Sequence, residues 1–435
     1  MSVLAFHLPE EVWLQVFLLL PDEEKMSIRA CCKYFRRLID RPSLWRNRAV
    51  VLKKIRSYNS QFWATLRRRK ISTVVVHKAG IREWESIVMS LPWLTAVTIE
   101  QCSDEEVLKT LQRFNSLKKL VIRSSQCPSG LASALTPLRQ LTHLCLCELQ
   151  RAPRTELISA VSQLADLNSL FYHEGDKPIS KRTFQGMLAR LPNLKQLSLK
   201  MGPGYGTLPE DYFSLSKTNY SKTGREGLNQ NGLGLTRLEL LNYMDPMLSP
   251  RALEPLMSLQ SLTVGYRDRV MEPGRCNLRA WLSKLPCLTE LTISRGYPLG
   301  VYVHSVPWTL QSLSLLQVFM HPGDLNALGN QTPNLQHLHL DLCSYDGQSG
   351  LQELPNLFPK LETLKLRHCY MTELEFVGLA QLEHLRQLVI LDAYQGPSPA
   401  LLKLIQKLQV KTNYRVQVIH TPKARDPTAC LCSQY

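Results

Sequence analysis

The sequence predicts an α/β solenoid of stacked strand–helix repeats, preceded by a small all-helical segment. Three observations carry that reading: a leucine motif that recurs thirteen times, a near-constant spacing between its copies, and a different pattern confined to residues 1–48. The motif is an apolar residue, two variable ones, a second apolar residue, one variable one, and a third apolar residue. Clear copies begin at Leu117, Leu141, Leu194, Leu235, Leu259, Leu288, Leu310, Leu335 and Leu361, and looser ones at Ile71, Leu94, Leu167 and Leu385. Successive starts lie 22 to 29 residues apart, apart from one step of 41 between Leu194 and Leu235. Periods of this length mark stacked repeats rather than a single closed domain.

Composition agrees. At 435 residues, 44% of them hydrophobic and 20% charged, the chain can bury a large core and is not of a disordered type. The longest nearly apolar run, residues 12–20, is nine residues long and includes Gln15, too short to span a bilayer. A secretory signal is not expected either, since a basic n-region is missing and Glu10 and Glu11 interrupt the apolar stretch. The twelve cysteines are therefore expected as thiols. The net charge of +16 is uneven: residues 1–70 hold 15 Lys or Arg against 6 Asp or Glu. Such an excess suits an acidic protein, a nucleic acid or an anionic surface.

Within each repeat the last two apolar positions are two apart and point to one face of a short strand. The segments between strands read as helices. Ser103 with Glu106, and Thr372 with Glu375, have capping-box spacing ahead of apolar stripes. Ser249-Pro250 reads as another helix start, and Phe184, Met187, Leu188 and Leu191 as an inward stripe. Neither element can bury its apolar side alone, so neighbouring repeats must stack, with parallel strands on a concave side. These are leucine-rich repeats. Cys102, Cys343 and Cys369, each eight residues after a motif start, resemble the cysteine-containing subclass, in which a small side chain fills the turn after the strand. Val416 and Val418 suggest a final capping strand, and residues 421–435 a tail.

The first 48 residues are of another kind. Leu8-Pro9-Glu10-Glu11 opens an amphipathic segment in which Val12, Val16, Leu19 and Leu20 have helical spacing, stopped by Pro21. A second segment runs from Asp22 through Ile28, and Lys33-Tyr34-Phe35-Arg36-Arg37 continues it to Leu44-Trp45. One reading is a helical cap over the open end of the solenoid. The residues also resemble the F-box. Leu8-Pro9-Glu10, Leu20-Pro21, Cys32-Lys33-Tyr34-Phe35-Arg36-Arg37 and Leu44-Trp45 supply that family's opening, break, basic-aromatic segment and close, in order. Ala30-Cys31 departs from it, where a β-branched residue is usual. F-box followed by leucine-rich repeats is a known family architecture. The resemblance implies an F-box at 1–48, a basic connector at 49–70, a right-handed horseshoe at 71–420, and a role as substrate receptor of an SCF-type cullin–RING ubiquitin ligase. Leu8, Pro9, Val12, Val16, Leu20, Pro21, Leu44 and Trp45 would then dock the Skp adaptor, through which cullin and RING subunits join. The alternative is a leucine-rich scaffold outside any ligase.

A protein substrate would bind the concave face. Candidate residues there are Phe171, His173, Arg237, His337, His339, Asp341, Lys365 and Arg367. The surrounding positions mix both signs, Lys119, Arg123 and Lys200 against Glu100, Glu239 and Glu290, which disfavours a nucleic-acid groove. His337-x-His339-x-Asp341 has alternating spacing on one strand, wide for sharing one metal ion. The 202–206 glycine stretch lacks the Lys-Ser/Thr of a phosphate loop. Cys432 sits fourth from the end but lacks the aliphatic residues of a prenylation signal. Residues 67–70 read as a nuclear-targeting cluster or a solvated linker. The insertion at 201–232, with Tyr205, Tyr212, Phe213 and Tyr220, is expected to project and contribute to substrate binding. No catalytic set is identifiable, so the expectation is a non-enzymatic protein without cofactor, cytoplasmic or nuclear.

Overall fold

In the computed structural model the chain divides into two compact units, Met1–Leu167 and Asn168–Gln434. The structure describes residues 8–46, 48–102, 104–125, 130–150, 153–174, 177–202, 206–214, 234–270, 274, 276–321, 323–341, 343–345, 350–392 and 396–420. The C-terminal tail with Cys432, and Tyr205 and Tyr220 of the insertion, lie outside these residues.

The first unit begins with three helices, α1 (Glu10–Leu19), α2 (Asp22–Cys31) and α3 (Lys33–Ile39). Pro21 supplies no backbone N–H and separates the first two. The Cys32 sulfur accepts the Phe35 backbone N–H at 3.4 Å and caps the third. Trp13, Phe17 and Phe35 form their core, with ring centroids 5.0 to 5.7 Å apart. Five parallel strands follow: β1 (Ala49–Leu52), β2 (Thr73–His77), β3 (Ala96–Glu100), β4 (Lys119–Arg123) and β5 (His143–Cys147). Their first residues, Ala49, Thr73, Ala96, Lys119 and His143, stand in register. Leu117, Leu120 and Ile122 are fully buried beneath them, as are their equivalents on neighbouring rungs. Each such side chain contributes about 1.5–3 kcal/mol of transfer free energy.

Residues 49–70 are not a connector. Val50 and Leu52 pair with Val74 and Val76, so the ladder begins one rung before the first motif copy. α4 (Ser60–Arg68) then backs that rung, with Trp63 and Leu66 buried. α5 (Ile81–Ser90) closes the next rung and buries Trp84, Ile87 and Val88.

The second unit carries ten parallel strands in one sheet: β6 (Ser169–His173), β7 (Gln196–Lys200), β8 (Arg237–Tyr243), β9 (Ser261–Arg269), β10 (Glu290–Gly296), β11 (Ser312–Leu316), β13 (His337–Asp341), β15 (Thr363–Leu366), β16 (Gln387–Ile390) and β17 (Gln417–His420). A separate two-stranded ribbon pairs β12 (Phe319–Met320) with β14 (Ser344–Tyr345). The last strand of the sheet includes Val418, as the sequence predicts. Consecutive rungs are tied by shared carbonyls. Gln260 O accepts from both Thr289 and Glu290 N–H, Thr289 O from Gln311 and Ser312, and Gln311 O from Gln336 and His337, all at 2.8–2.9 Å.

The helical expectations divide. Thr372 and Glu375 form the capping box, and Phe184, Met187 and Leu188 are buried in the helix Lys181–Leu188. Ser103 lies outside the described residues; Asp104 is the N-cap, accepting the Glu106 N–H at 3.0 Å. Ser249-Pro250 opens a run of turns instead of a helix, with Ala252 N–H donating to Ser249 O and Glu254 N–H to Arg251 O. Burial of Ala252, Leu253 and Leu256 is satisfied by those tighter turns. Cys102 and Cys343 are buried in their turns, whereas Cys369 is exposed. The nine cysteines among the described residues are all thiols.

Candidate functional site

The helical segment and the first rung of its unit are clamped by one buried carboxylate. Asp40, just past α3, receives Arg29 Nε at 2.8 Å and Nη2 at 2.9 Å, a two-pronged contact, and Arg69 Nε at 2.8 Å. Arg68 approaches to 3.5 Å. The Arg69 guanidinium lies 3.8 Å from the centroid of the Trp45 ring, and Trp45 Nε1 donates to Ile39 O at 2.5 Å. Burial opposes the charge on Asp40, but the hydrogen bonds and charges of Arg29 and Arg69 outweigh it and hold the carboxyl below its usual range. Arg69, expected in a solvated or targeting cluster, is instead a structural residue. Glu10 takes Arg37 and Arg41, tying the start of α1 to α3 and the turn after it.

This clamp relocates two of the expected adaptor contacts. Leu44 and Trp45 are buried, at 3% and 7% exposure, so they hold the domain together and present no surface. The other candidates point outward. Leu8, Val12 and Val16 are 46%, 42% and 40% exposed, Pro9 and Pro21 are exposed, and Leu20 is half-buried. Leu19 is 86% exposed, and Leu18 and Met26 are exposed as well. Val12, Val16 and Leu19 share one stripe of α1, because positions four and three apart stack along a helix face. Sequence spacing marks Val12, Val16 and Leu19, whereas Met26, on α2, has its sulfur 3.5 Å from Arg69 Nη2 at the clamp.

On the sheet face opposite the helices, the substrate candidates separate into buried and accessible ones. His173 is buried, its Nε2 2.7 Å from Ser198 Oγ, which in turn donates to the buried Glu239 carboxylate. Phe171 is half-buried, edge-on to the His173 ring. Asp341 is buried and accepts Arg367 Nε at 2.7 Å. His173 and the Asp341–Arg367 pair are therefore occupied within the sheet and offer little to a ligand. His337 and Lys365 are exposed and His339 is half-buried; His339 and Lys365 are register partners on adjacent strands. Arg237 is exposed, 3.7 Å from the Glu290 carboxylate, and lies on β8, away from that group. In the first unit the corresponding face is self-paired: Glu100 receives Arg123 Nε at 2.7 Å and lies 3.1 Å from His77 Nδ1.

The described part of the insertion packs back on its unit. Tyr212 and Phe213 are buried against Phe184, Tyr212 stacking at 4.4 Å and donating its hydroxyl to Ile179 O at 3.0 Å. Lys181 Nζ reaches Asp211 at 2.5 Å. Two of the four aromatic residues that suggested a projecting recognition loop, Tyr212 and Phe213, are thus buried within the unit. Among the described residues no cluster of three or more His, Cys, Asp or Glu is arranged to hold a metal ion, and no helix is long and apolar enough to cross a membrane.

Comparison with known proteins agrees with this division. Residues 5–50 match the F-box-like family model, so the N-terminal helices are an F-box-like domain and leucine-rich repeats follow. No curated protein matches the sequence significantly. Among solved structures, a chain of the yeast Rad7 and Elc1 complex is 16% identical with a TM-score of 0.50, covering 82% of this chain and 88% of that one. An internalin (inlF) from Listeria monocytogenes is 17% identical, TM-score 0.39, with 78% and 84% covered. A chain of the TLR13–ssRNA13 complex is 17% identical, TM-score 0.41, with 80% covered here and 50% there, so this chain spans half of its length.

Proposed function

We propose that this protein is the substrate-recognition subunit of an SCF-type cullin–RING ubiquitin ligase. The F-box-like domain docks a Skp adaptor and, through it, cullin and RING subunits, while the repeats bind the protein to be ubiquitinated. The carrying observation is the apolar stripe Leu8, Val12, Val16 and Leu19 left exposed on a domain whose own aromatic core is complete. Exposed contiguous apolar surface on a small domain marks a protein-docking site. On this reading the protein has no catalytic role of its own and needs no cofactor. Its accessible substrate residues are Arg237, His337, His339 and Lys365, and it works in cytoplasm or nucleus.

Co-purification of a Skp adaptor with the intact chain tests the reading. Val12→Ser/Val16→Ser/Leu19→Ser should abolish capture without unfolding the chain. Undiminished capture by that variant would move the docking surface off the stripe, and no capture by the intact chain would leave a leucine-rich scaffold whose helical domain has another use.

A further inference from the structure

We infer that the first unit binds a compact anion carrying two or more phosphate groups, in a basic cavity beside the first rung. The cavity, about 250 Å³, is lined by Lys53, Lys54, Arg56 and Lys78, together with Ser57 and Glu83. Three separate turns build it: the segment after β1, the turn after β2, and the first turn of α5.

Seven of the 15 Lys and Arg of residues 1–70 are paired with carboxylates of the same segment. Asp40 takes Arg29, Arg68 and Arg69, Glu10 takes Arg37 and Arg41, and Asp22 takes Lys25 and Arg48. At the cavity, Glu83 is committed twice, to Arg56 Nε at 2.7 Å and to the Gly80 N–H at 2.6 Å. Among the described residues no carboxylate lies within ion-pairing distance of Lys53, Lys54 or Lys78. Lys53, Lys54 and Lys78 therefore line one concavity whose carboxylate, Glu83, is already committed to Arg56 and Gly80, and their like charges repel one another until an anion enters.

The backbone beneath is fixed. Buried Ile55 anchors the turn, Ser57 donates to Lys54 O through both its N–H (2.9 Å) and its hydroxyl (2.7 Å), and Lys53 N–H donates to Tyr58 Oη at 3.4 Å. Lys78 adopts a left-handed backbone, φ 52°, and donates its N–H to Glu100 O at 3.0 Å. The equivalent positions on the next three rungs, Gln101, Ser124 and Glu148, share that conformation but are neutral or acidic. The basic character thus belongs to this rung and not to the repeat. A concave site of this volume suits a small polyanion, whereas an extended nucleic-acid backbone would call for a long one-signed groove.

Titration calorimetry of the intact chain with tripolyphosphate, with orthophosphate for comparison, tests the site. Saturable binding is expected, tighter for tripolyphosphate and weakened by added salt. Lys53→Ala/Lys54→Ala/Lys78→Ala should reduce affinity by about tenfold or more, with an unchanged thermal melt. Glu83→Gln, which keeps an acceptor for Gly80 but removes the opposing charge, should tighten binding. Lys33→Ala/Arg36→Ala, two exposed cations on α3, should leave affinity unchanged. Sedimentation with phosphatidylcholine vesicles containing phosphatidylinositol bisphosphate separates the sources of the phosphates. Co-sedimentation lost in the triple variant assigns a lipid headgroup, and tripolyphosphate binding without co-sedimentation assigns a soluble ligand. Absence of binding in both arms, or equal losses in the triple and control variants, would overturn the inference.

Discussion

The first helix of the F-box-like domain and the accessible sheet face of the repeats present opposite kinds of side chain. In the repeats the motif leucines are buried, and the accessible sheet-face candidates His337 and Lys365 are polar. In the helical domain the most deeply enclosed side chains include charged ones, Asp40 and Lys25, while Leu8, Val12, Val16 and Leu19 face outward. A surface that is polar outside is complete in water. One with its apolar residues outside is completed by something else, and the reversal marks the stripe of α1 as the surface that the proposed docking calls for.

The largest effect should come from breaking the polar interior. Asp40→Ala leaves Arg29 and Arg69 enclosed without a counter-charge and should cost about 3–5 kcal/mol in denaturant unfolding. Trp45→Ala, which removes the surface under Arg69 and a buried indole, should cost a similar 3–5 kcal/mol. Both variants should also lose adaptor capture, but only as a consequence of unfolding. Acid sharpens the point. Because the folded-state pKa of Asp40 lies below the unfolded value near 3.9, its ionised form adds stability above about pH 4. That contribution disappears as the pH falls through the folded value. In a pH series of unfolding midpoints, Asp40→Asn should flatten the acid limb; an unchanged limb would place the loss on other carboxylates.

Smaller still should be the structural effect of the outer stripe. Val12→Ser/Val16→Ser/Leu19→Ser should change stability by no more than about 1 kcal/mol, since these residues are already in contact with water. If this variant unfolds as readily as Asp40→Ala, the stripe belongs to the domain's own packing. The least structural change belongs to His337→Ala/Lys365→Ala, expected within about 0.5 kcal/mol of the parent while weakening substrate capture. Normal capture by that pair would move recognition to Arg237 or to another surface.

What was legible in the sequence follows the same divide. The leucine spacing led directly to the strands, because a period-two pair of apolar residues repeated every 22 to 29 positions admits few alternatives. β1 was missed because Ala49-Val50-Val51-Leu52 lacks the leading leucine of the motif. Sequence order also hid the clamp: Asp40 and Arg69 are 29 residues apart with no periodic relation, so only the fold brings them together. Motif matching picked out Leu44 and Trp45 but carried no information on which way they face. Alternation likewise put His173 and Asp341 on the correct side of the sheet without revealing that Ser198 and Arg367 already occupy them. The cavity at Lys53 and Lys78 is visible in the sequence only as surplus charge, since three turns separated in sequence build it.

The carbonyls shared between successive rungs bear on how such a chain changes over generations. Thr289 O binds two N–H groups from the next rung, and Gln311 O binds the equivalent two from the rung after. The bonding pattern is thus the same at these two steps, and a cut before Gln311 matches a cut before Gln336. Excising residues 311–335 would bring Gln336 and His337 to the acceptor that Gln311 and Ser312 had used. Losing a single residue inside a strand would instead turn every following side chain to the wrong side. Whole-rung gain or loss is therefore the cheap mutation, and the sheet can be lengthened or shortened without redesigning the helical domain.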